Sequence, residues 1–182
     1  MSHGHGWTRR HVMLGLGLLA PAFTAVPAAL AGAPRWLELK SLRTGEVVTV
    51  TFDRDTGPDP AALARLQHLL RDARVNEEHP MDAALYGLLS DLAAATGHEA
   101  RYEVISGYRS PRTNEGLRAA GHAVAEHSLH MQGKAIDVRL LGCDLAVFRD
   151  AALKAARGGV GYYPGSNFVH VDTGRVRTWT GQ

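Results

Sequence analysis

The chain of 182 residues reads as an α+β protein, a small antiparallel sheet flanked by helices, and three features carry that expectation. Short stretches of alternating apolar and polar residues come in pairs joined by turn residues, as in β-hairpins. Three longer stretches repeat apolar residues at helical spacing. The two kinds of stretch are segregated rather than alternating in regular β-α-β units.

Residues 1–31 stand apart from the fold. Arg9-Arg10 lead into Val12 to Ala31, which carries no charge, and Ala29-Leu30-Ala31 supplies a small-residue exit. This is the layout of an export signal peptide. The adjacent arginines in Trp7-Thr8-Arg9-Arg10-His11-Val12-Met13-Leu14 make it twin-arginine-like, although Val12 and Met13 match the usual Phe-Leu only loosely. A retained anchor is the alternative, since the apolar run approaches the roughly 20 residues that span a bilayer. Pro21, Pro27 and the small-residue end favour cleavage, after which no stable membrane span is expected.

Residues 32–182 are sized for a single domain with one core. Their basic and acidic side chains balance, which argues against electrostatic binding to nucleic acid. The domain is expected to be a monomer. Cys143 is the only cysteine, so no intramolecular disulfide is possible. It precedes a predicted helix, where a thiol pKa can fall. No base lies beside it in sequence, so a buried or capping role is expected.

Trp36 to Lys40 and Glu46 to Phe52 alternate as strands about the turn residues Thr44-Gly45. Asp59-Pro60 caps a helix with Leu63, Leu66, Leu69, Leu70 and Ala73 on one stripe, predicted to end near Arg74. A second helix is predicted from about Asp82 to Thr96, stopped by Gly97. Tyr102 to Ile105 reads as a strand running into the turn Ser106-Gly107-Tyr108-Arg109-Ser110-Pro111, where a new helix starts. Lys134 to Leu140 is a further strand. Asp144 to Arg157 is a third long helix with Leu145, Phe148 and Ala152 on one face, ended by Gly158-Gly159. Gly161 to Gly165 is expected as a loop. Asn167 to Asp172 and Val176 to Trp179 are expected as a final strand pair joined through Thr173-Gly174.

In a strand over 134–140, Asp137 shares a face with Ala135 and Arg139 while Ile136 and Val138 enter the core. His130 lies seven residues earlier across a turn at Gly133, and His170 and Asp172 share a face of a later strand. Two imidazoles and a carboxylate suit a Zn²⁺ ion that keeps one position open for water. By spacing alone such a set of His, Asp and His is more often surface or core than a metal site.

The wording of the motifs narrows this. Ser128-x-His130-x-x-Gly133-x-Ala135-x-Asp137 with the later His170 resembles the zinc signature of the M15-type peptidases, the D-Ala-D-Ala carboxypeptidase and murein endopeptidase group. Ser106-Gly107-Tyr108-Arg109-Ser110 resembles the upstream arginine motif of that group. Gly158-Gly159-Val160-Gly161-Tyr162-Tyr163-Pro164 and Ser166 to Gly174 are similar to its DUF882, YcbK-like branch of exported enzymes from Gram-negative bacteria. The resemblance covers essentially all of residues 32–182.

It implies an M15 (hedgehog/DD-peptidase-like) fold and Zn²⁺ held by His130, Asp137 and His170. It implies Arg109 as the group that binds a scissile carbonyl or substrate carboxylate, a role suited to its fixed fork of donors. Ser128 either holds the ligand loop or reaches substrate, and Tyr108 is a second candidate for substrate contact. The implied activity is that of a periplasmic peptidoglycan (murein) endopeptidase, hydrolysing peptide cross-links by zinc-activated water, with stem peptides as partners and LD (3-3) links as the favoured bond. The alternatives are a D-Ala-D-Ala-type carboxypeptidase and a catalytically weak, zinc-stabilised cell-wall binding module.

One departure bears on mechanism. Many members of the group carry a Glu or Asp three residues before the last histidine as general base, and here that position is Asn167. Asp172 is then the candidate base, with an orienting or turn-forming carboxylate as the other reading; Glu126 and His127 are weaker candidates. Tyr108, Tyr162, Tyr163 and Trp179 are expected to divide between groove and core, at least two of them packing.

Overall fold

The computed structural model describes Met1, His3, residues 34–122 and residues 124–181. Apart from Met1 and His3, the expected export signal lies outside the described residues. Strands β1 (Arg35–Ser41) and β2 (Val47–Phe52) form the expected antiparallel hairpin, with Leu37 opposite Val50 and both buried. Helix α1 (Pro60–Leu69) starts as its sequence dictates: the Asp59 carboxylate accepts from Ala62 N at 2.7 Å and Pro60 occupies the first turn. It stops short of Arg74. The Leu70 carbonyl is taken instead by the Tyr108 N–H at 2.8 Å, and Asp72 accepts from the Arg74 N–H, so the apolar stripe outlasts the helix.

Helix α2 (Ala84–Ala95) buries Leu85, Leu88, Leu89 and Leu92 and ends at Thr96 before Gly97. Strand β3 (Arg101–Ser106), helix α3 (Pro111–Ala119), a 3₁₀ turn (Leu129–Gln132) and β4 (Ala135–Leu140) follow. Helix α4 (Leu145–Ala155) is capped by the Asp144 carboxylate, and β5 (Gly159–Tyr163), β6 (Phe168–Asp172) and β7 (Arg177–Thr180) complete the chain. Among the described residues, no helix is long and apolar enough to cross a membrane.

Helix and sheet mix as expected, but the sheet is neither small nor wholly antiparallel. It has seven strands in the order β2-β1-β3-β4-β6-β5-β7, and the pairs β1/β3 and β5/β7 are parallel. The parallel β1/β3 pair follows from the long connection through α1 and α2, which allows the chain to return in the same direction. Gly161, Tyr162 and Tyr163, expected in a loop, belong to β5 and pair with β6 in register from Val160–Val171 to Tyr163–Phe168. Since β6 already has β4 on one side and β5 on the other, β7 cannot pair with it through Thr173-Gly174. It crosses instead to the free edge of β5.

One continuous core joins α1, α2 and α4 to the sheet. Strand alternation then divides the second half of the sheet into two faces. Ile136, Val138, Val160, Val169 and Val171 enter the core. Asp137, Tyr163, Phe168, His170, Arg177 and Trp179 point the other way, and all six line one cleft. Cys143 is half-buried, and burial pushes its thiol pKa up, against the lowering its place before α4 suggests.

Gly133 shows how tightly the turn before β4 is set. Its φ is +66°, and a Cβ there would lie 2.1 Å from the Pro80 carbonyl oxygen. Gly97 also has positive φ, +73°, but a Cβ would meet nothing within 4 Å. Gly97→Ala is therefore expected to cost about 1 kcal/mol from backbone strain alone, and Gly133→Ala more than about 3 kcal/mol. Denaturant midpoints of the two variants, measured side by side, check the difference.

Candidate metal centre and active-site cleft

Three polar side chains converge where β4 and β6 pair, with Asp137 opposite His170 in register. His130 Nε2 lies 3.2 Å from His170 Nδ1 and 3.2 Å from Asp137 Oδ1, and His170 Nδ1 lies 2.9 Å from the same oxygen. All three residues are buried. The 3₁₀ turn delivers His130: Ser128 caps it, its hydroxyl accepting from His130 N at 3.3 Å, and left-handed Gly133 returns the chain into β4.

The outer nitrogens decide which atoms face inward. His130 Nδ1–H donates to the Gly107 carbonyl at 2.7 Å, and His170 Nε2–H donates to Asp172 Oδ2 at 3.0 Å. Both bonds fix the tautomers, so His130 Nε2 and His170 Nδ1 turn lone pairs toward a carboxylate oxygen. Three acceptors within one another's contact distance repel unless a cation or a proton lies among them. Two imidazoles and one carboxylate are a fitting donor set for zinc, with room for a fourth ligand from the cleft.

The carboxylates around His170 favour its protonated form. Burial opposes charge on His170, but hydrogen bonds to Asp137 and Asp172 outweigh it and push its pKa up to about 9. Burial would likewise raise Asp137, yet the neighbouring His130 and His170 hold its carboxyl well below the usual carboxylate range.

Asp172 is fully buried, at 0% exposure, and every part of its carboxylate is engaged. Oδ1 accepts from the backbone N–H groups of Gly159 and Gly174 and from Arg177 Nη1; Oδ2 accepts from Arg177 Nη2 at 2.7 Å and from His170. Burial raises its pKa, but these donors hold the group well below the ordinary range. It has no lone pair turned to the cleft.

Arg109 follows β3 on the Ser-Gly-Tyr-Arg-Ser loop. Its backbone N–H donates to the His130 carbonyl at 3.2 Å, so the arginine loop and the ligand turn are bonded to each other in both directions. Only 8% of the residue is exposed. Nη1 donates weakly to Asn114 Oδ1 at 3.4 Å and Nη2 lies 3.7 Å from Asp137 Oδ2, while Nε is buried with no hydrogen-bond partner. Burial lowers the pKa of this guanidinium, opposed chiefly by Asp137. A charged donor held so near the three acceptors suits an anion or a polarised carbonyl in the cleft.

The cleft, about 630 Å³, holds Arg109, Ser128, His130, Asp137 and His170 together. Tyr108 is not among its lining residues. Its ring stacks on His79 and its hydroxyl donates to Glu77 Oε1 at 2.8 Å, so the expected substrate contact is replaced by a packing role. Tyr162 packs against the core under Arg149, whereas Tyr163 and Trp179 line the cleft. Asn167 lies exposed at the β5–β6 turn with φ +53° and is absent from the cleft wall; asparagine tolerates that backbone unusually well. His127 lines the cleft and Glu126 does not.

Sequence reasoning missed Arg177, Asn114 and Asp72. Asp72 accepts from both the N–H and the hydroxyl of Ser110, which holds the arginine loop from 38 residues away. No local pattern signals such a bond. Arg177 could have been found from strand alternation, two residues before Trp179.

Two outcomes follow for metal binding. Because a cation must displace the proton on His170, zinc affinity of the apo protein is expected to rise about tenfold per pH unit from pH 6.5 toward 9, with proton release seen by calorimetry in two buffers. Asp172→Asn is expected to weaken zinc binding about 10–100-fold, measured by competition with a chromophoric chelator.

Comparison with known proteins shows the family. The family model described as peptidoglycan L,D-endopeptidase MepK, Peptidase_M15_2, matches residues 29–179. The probable peptidoglycan L,D-endopeptidase MepK of Haemophilus influenzae is 41% identical over 171 residues, covering 93% of this chain and 91% of the relative. The peptidoglycan L,D-endopeptidase MepK of Escherichia coli K12 is 42% identical over 169 residues, covering 92% and 91%. The resemblance carried by the histidine, arginine and Gly-Tyr-Tyr motifs therefore holds along nearly the whole chain, and the protein belongs to the MepK family of M15-type peptidases.

Proposed function

We propose that the protein is an exported zinc endopeptidase that hydrolyses LD (3-3) peptide cross-links of peptidoglycan in the periplasm. The observation that carries this reading is the buried meeting of His130, Asp137 and His170 beside Arg109, whose Nε has no hydrogen-bond partner, on the wall of one cleft. The choice of substrate and bond rests on the MepK relatives. Export through residues 1–31, by the twin-arginine route, is part of the proposal and rests on their basic start, apolar run and small-residue exit.

When bound, zinc supplies Lewis acidity at this position: it polarises a carbonyl and makes water acidic enough to attack near neutral pH. The protein groups divide the remaining work. Arg109 offers its donors to the scissile carbonyl oxygen as charge develops there. Ser128 holds the ligand turn. Asp172 orients His170 and, with its carboxylate spent on five donors, leaves proton transfer to the cleft histidines His122 and His127.

Asn167 bears on the alternative reading of a weak binding module. Its side chain stands outside the cleft and its backbone is left-handed, so its identity reports on the turn and not on lost catalysis.

The deciding measurement is digestion of purified cross-linked peptidoglycan by residues 32–182, with products resolved by mass spectrometry. Conversion of 3-3 linked dimers to monomers, abolished by a chelator and by His130→Ala, is the expected result; stoichiometric zinc with no product would overturn it. Arg109→Lys is expected to lower kcat/KM about 100-fold while zinc content stays at one per chain, because an ammonium cannot reproduce the fork of donors. Asn167→Glu is expected to leave the rate within about twofold and to lower stability by about 1 kcal/mol through its left-handed backbone.

A further inference from the structure

Tyr163 closes β5 on the cleft face, its ring stacked on Phe168 with centroids 4.4 Å apart. Its hydroxyl oxygen is 2.9 Å from Trp179 Nε1. An indole nitrogen can only donate, so the direction of this bond is fixed: the phenolic oxygen accepts, and its own proton must go elsewhere. Among the described residues no acceptor takes it. The ring is half-buried and borders the same cleft as Arg109 and the three convergent acceptors.

The fold goes to some length to hold this hydroxyl still. Trp179 packs against His170 at 5.1 Å between ring centroids, with the Arg177 guanidinium 5.0 Å from its own centroid. A Cβ on Gly161 would come within 2.6 Å of the Trp179 ring, and one on Gly181 within 2.0 Å of the Tyr163 ring. Both glycines thus leave room that the two aromatic side chains fill. A tyrosine needed only as a wall would be served by phenylalanine; here the indole clamps the oxygen and, by donating to it, strengthens the remaining O–H as a donor.

We infer that Tyr163 is a further catalytic residue, donating its phenolic O–H to the scissile carbonyl oxygen as that oxygen becomes the tetrahedral oxyanion. Tyr163 and Arg109 line the same cleft from separate elements, so the developing charge meets one charged and one neutral donor. The tyrosine keeps its proton throughout, and no bond to it is made or broken. The leaving amine takes its proton from another group.

This inference rests on the peptidase reading, and its test is arranged to separate the two. Tyr163→Phe keeps the stack on Phe168 and removes only the hydroxyl. With a 3-3 linked muropeptide dimer, kcat is expected to fall about 10–100-fold with KM within about twofold and zinc content unchanged. Affinity for a phosphinic analogue of the dimer, whose tetrahedral P–O⁻ copies the oxyanion, is expected to fall by a similar factor. Trp179→Phe, which releases the clamp, is expected to produce part of both losses. Unchanged kcat and phosphinate affinity in Tyr163→Phe would overturn the assignment, as would a loss confined to KM. The phosphinate arm is read by binding alone, so a wild-type protein that cleaves nothing defeats the peptidase reading while Tyr163 is still decided by inhibitor affinity.

Discussion

The bond from His130 Nδ1–H to the Gly107 carbonyl is the contact on which the rest of the site depends. It fixes the tautomer of a buried imidazole, and so decides that Nε2 meets Asp137 and His170 as a lone pair. The same loop returns a bond, Arg109 N–H to the His130 carbonyl. Two segments joined by a bond spanning 23 residues are thereby locked into one unit, and the guanidinium cannot drift from the acceptors without breaking the turn that holds them. Leu70 and Asp72 anchor the far side of the loop by accepting from Tyr108 N and from Ser110. Gly107 lets the backbone approach, since a Cβ there would sit 2.5 Å from the Leu70 carbonyl oxygen.

Around this unit the charges are arranged in a chain that leaves few of them unpaired. Arg177 meets Asp172 through two nitrogens, Asp172 holds His170, His170 meets Asp137, and Asp137 faces Arg109. Ionised groups this deeply buried are costly to desolvate and are kept only where partners or a metal compensate. Hydrogen bonds from His170 to Asp137 and Asp172 supply that compensation by favouring its protonated form. A metal ion bound among His130, Asp137 and His170 would have to displace the proton held on His170, so metal binding there would tighten as pH rises.

Separation of duties between the two sheet faces is what makes such a centre tolerable. One face gives Ile136, Val138, Val169 and Val171 to the core under α2 and α4, and the other gives Asp137, His170 and the Tyr163–Trp179 pair to the cleft. Rigid ladder pairing of β4 with β6 sets the ligand spacing, because Asp137 and His170 are direct cross-strand neighbours. The aromatic pair extends the same rigidity outward, through β5 and the parallel strand β7, to the wall of the cleft that Arg109 also lines.

Local chemistry made much of this legible in the sequence. Alternation and capping residues announced β1, β2, α1, α2, β4 and α4, and the Ser-x-His, Ala-x-Asp and Val-His-Val-Asp strings named the three convergent side chains. Contacts between distant segments were not legible. Gly161-Tyr162-Tyr163 looked like a loop because glycine and proline flank it, but two neighbouring strands claim its backbone. Tyr108 sits in the arginine motif and still turns to His79 and Glu77. Asp172 carries a carboxylate in the right strand phase, yet Arg177 and two backbone amides exhaust it. The sequence by itself determined which residue types stand at which strand phase, since side-chain alternation is a property of the backbone. Only the tertiary structure decided which of them are free to act, because a hydrogen-bonding group is spent or available according to the partners that distant segments bring to it.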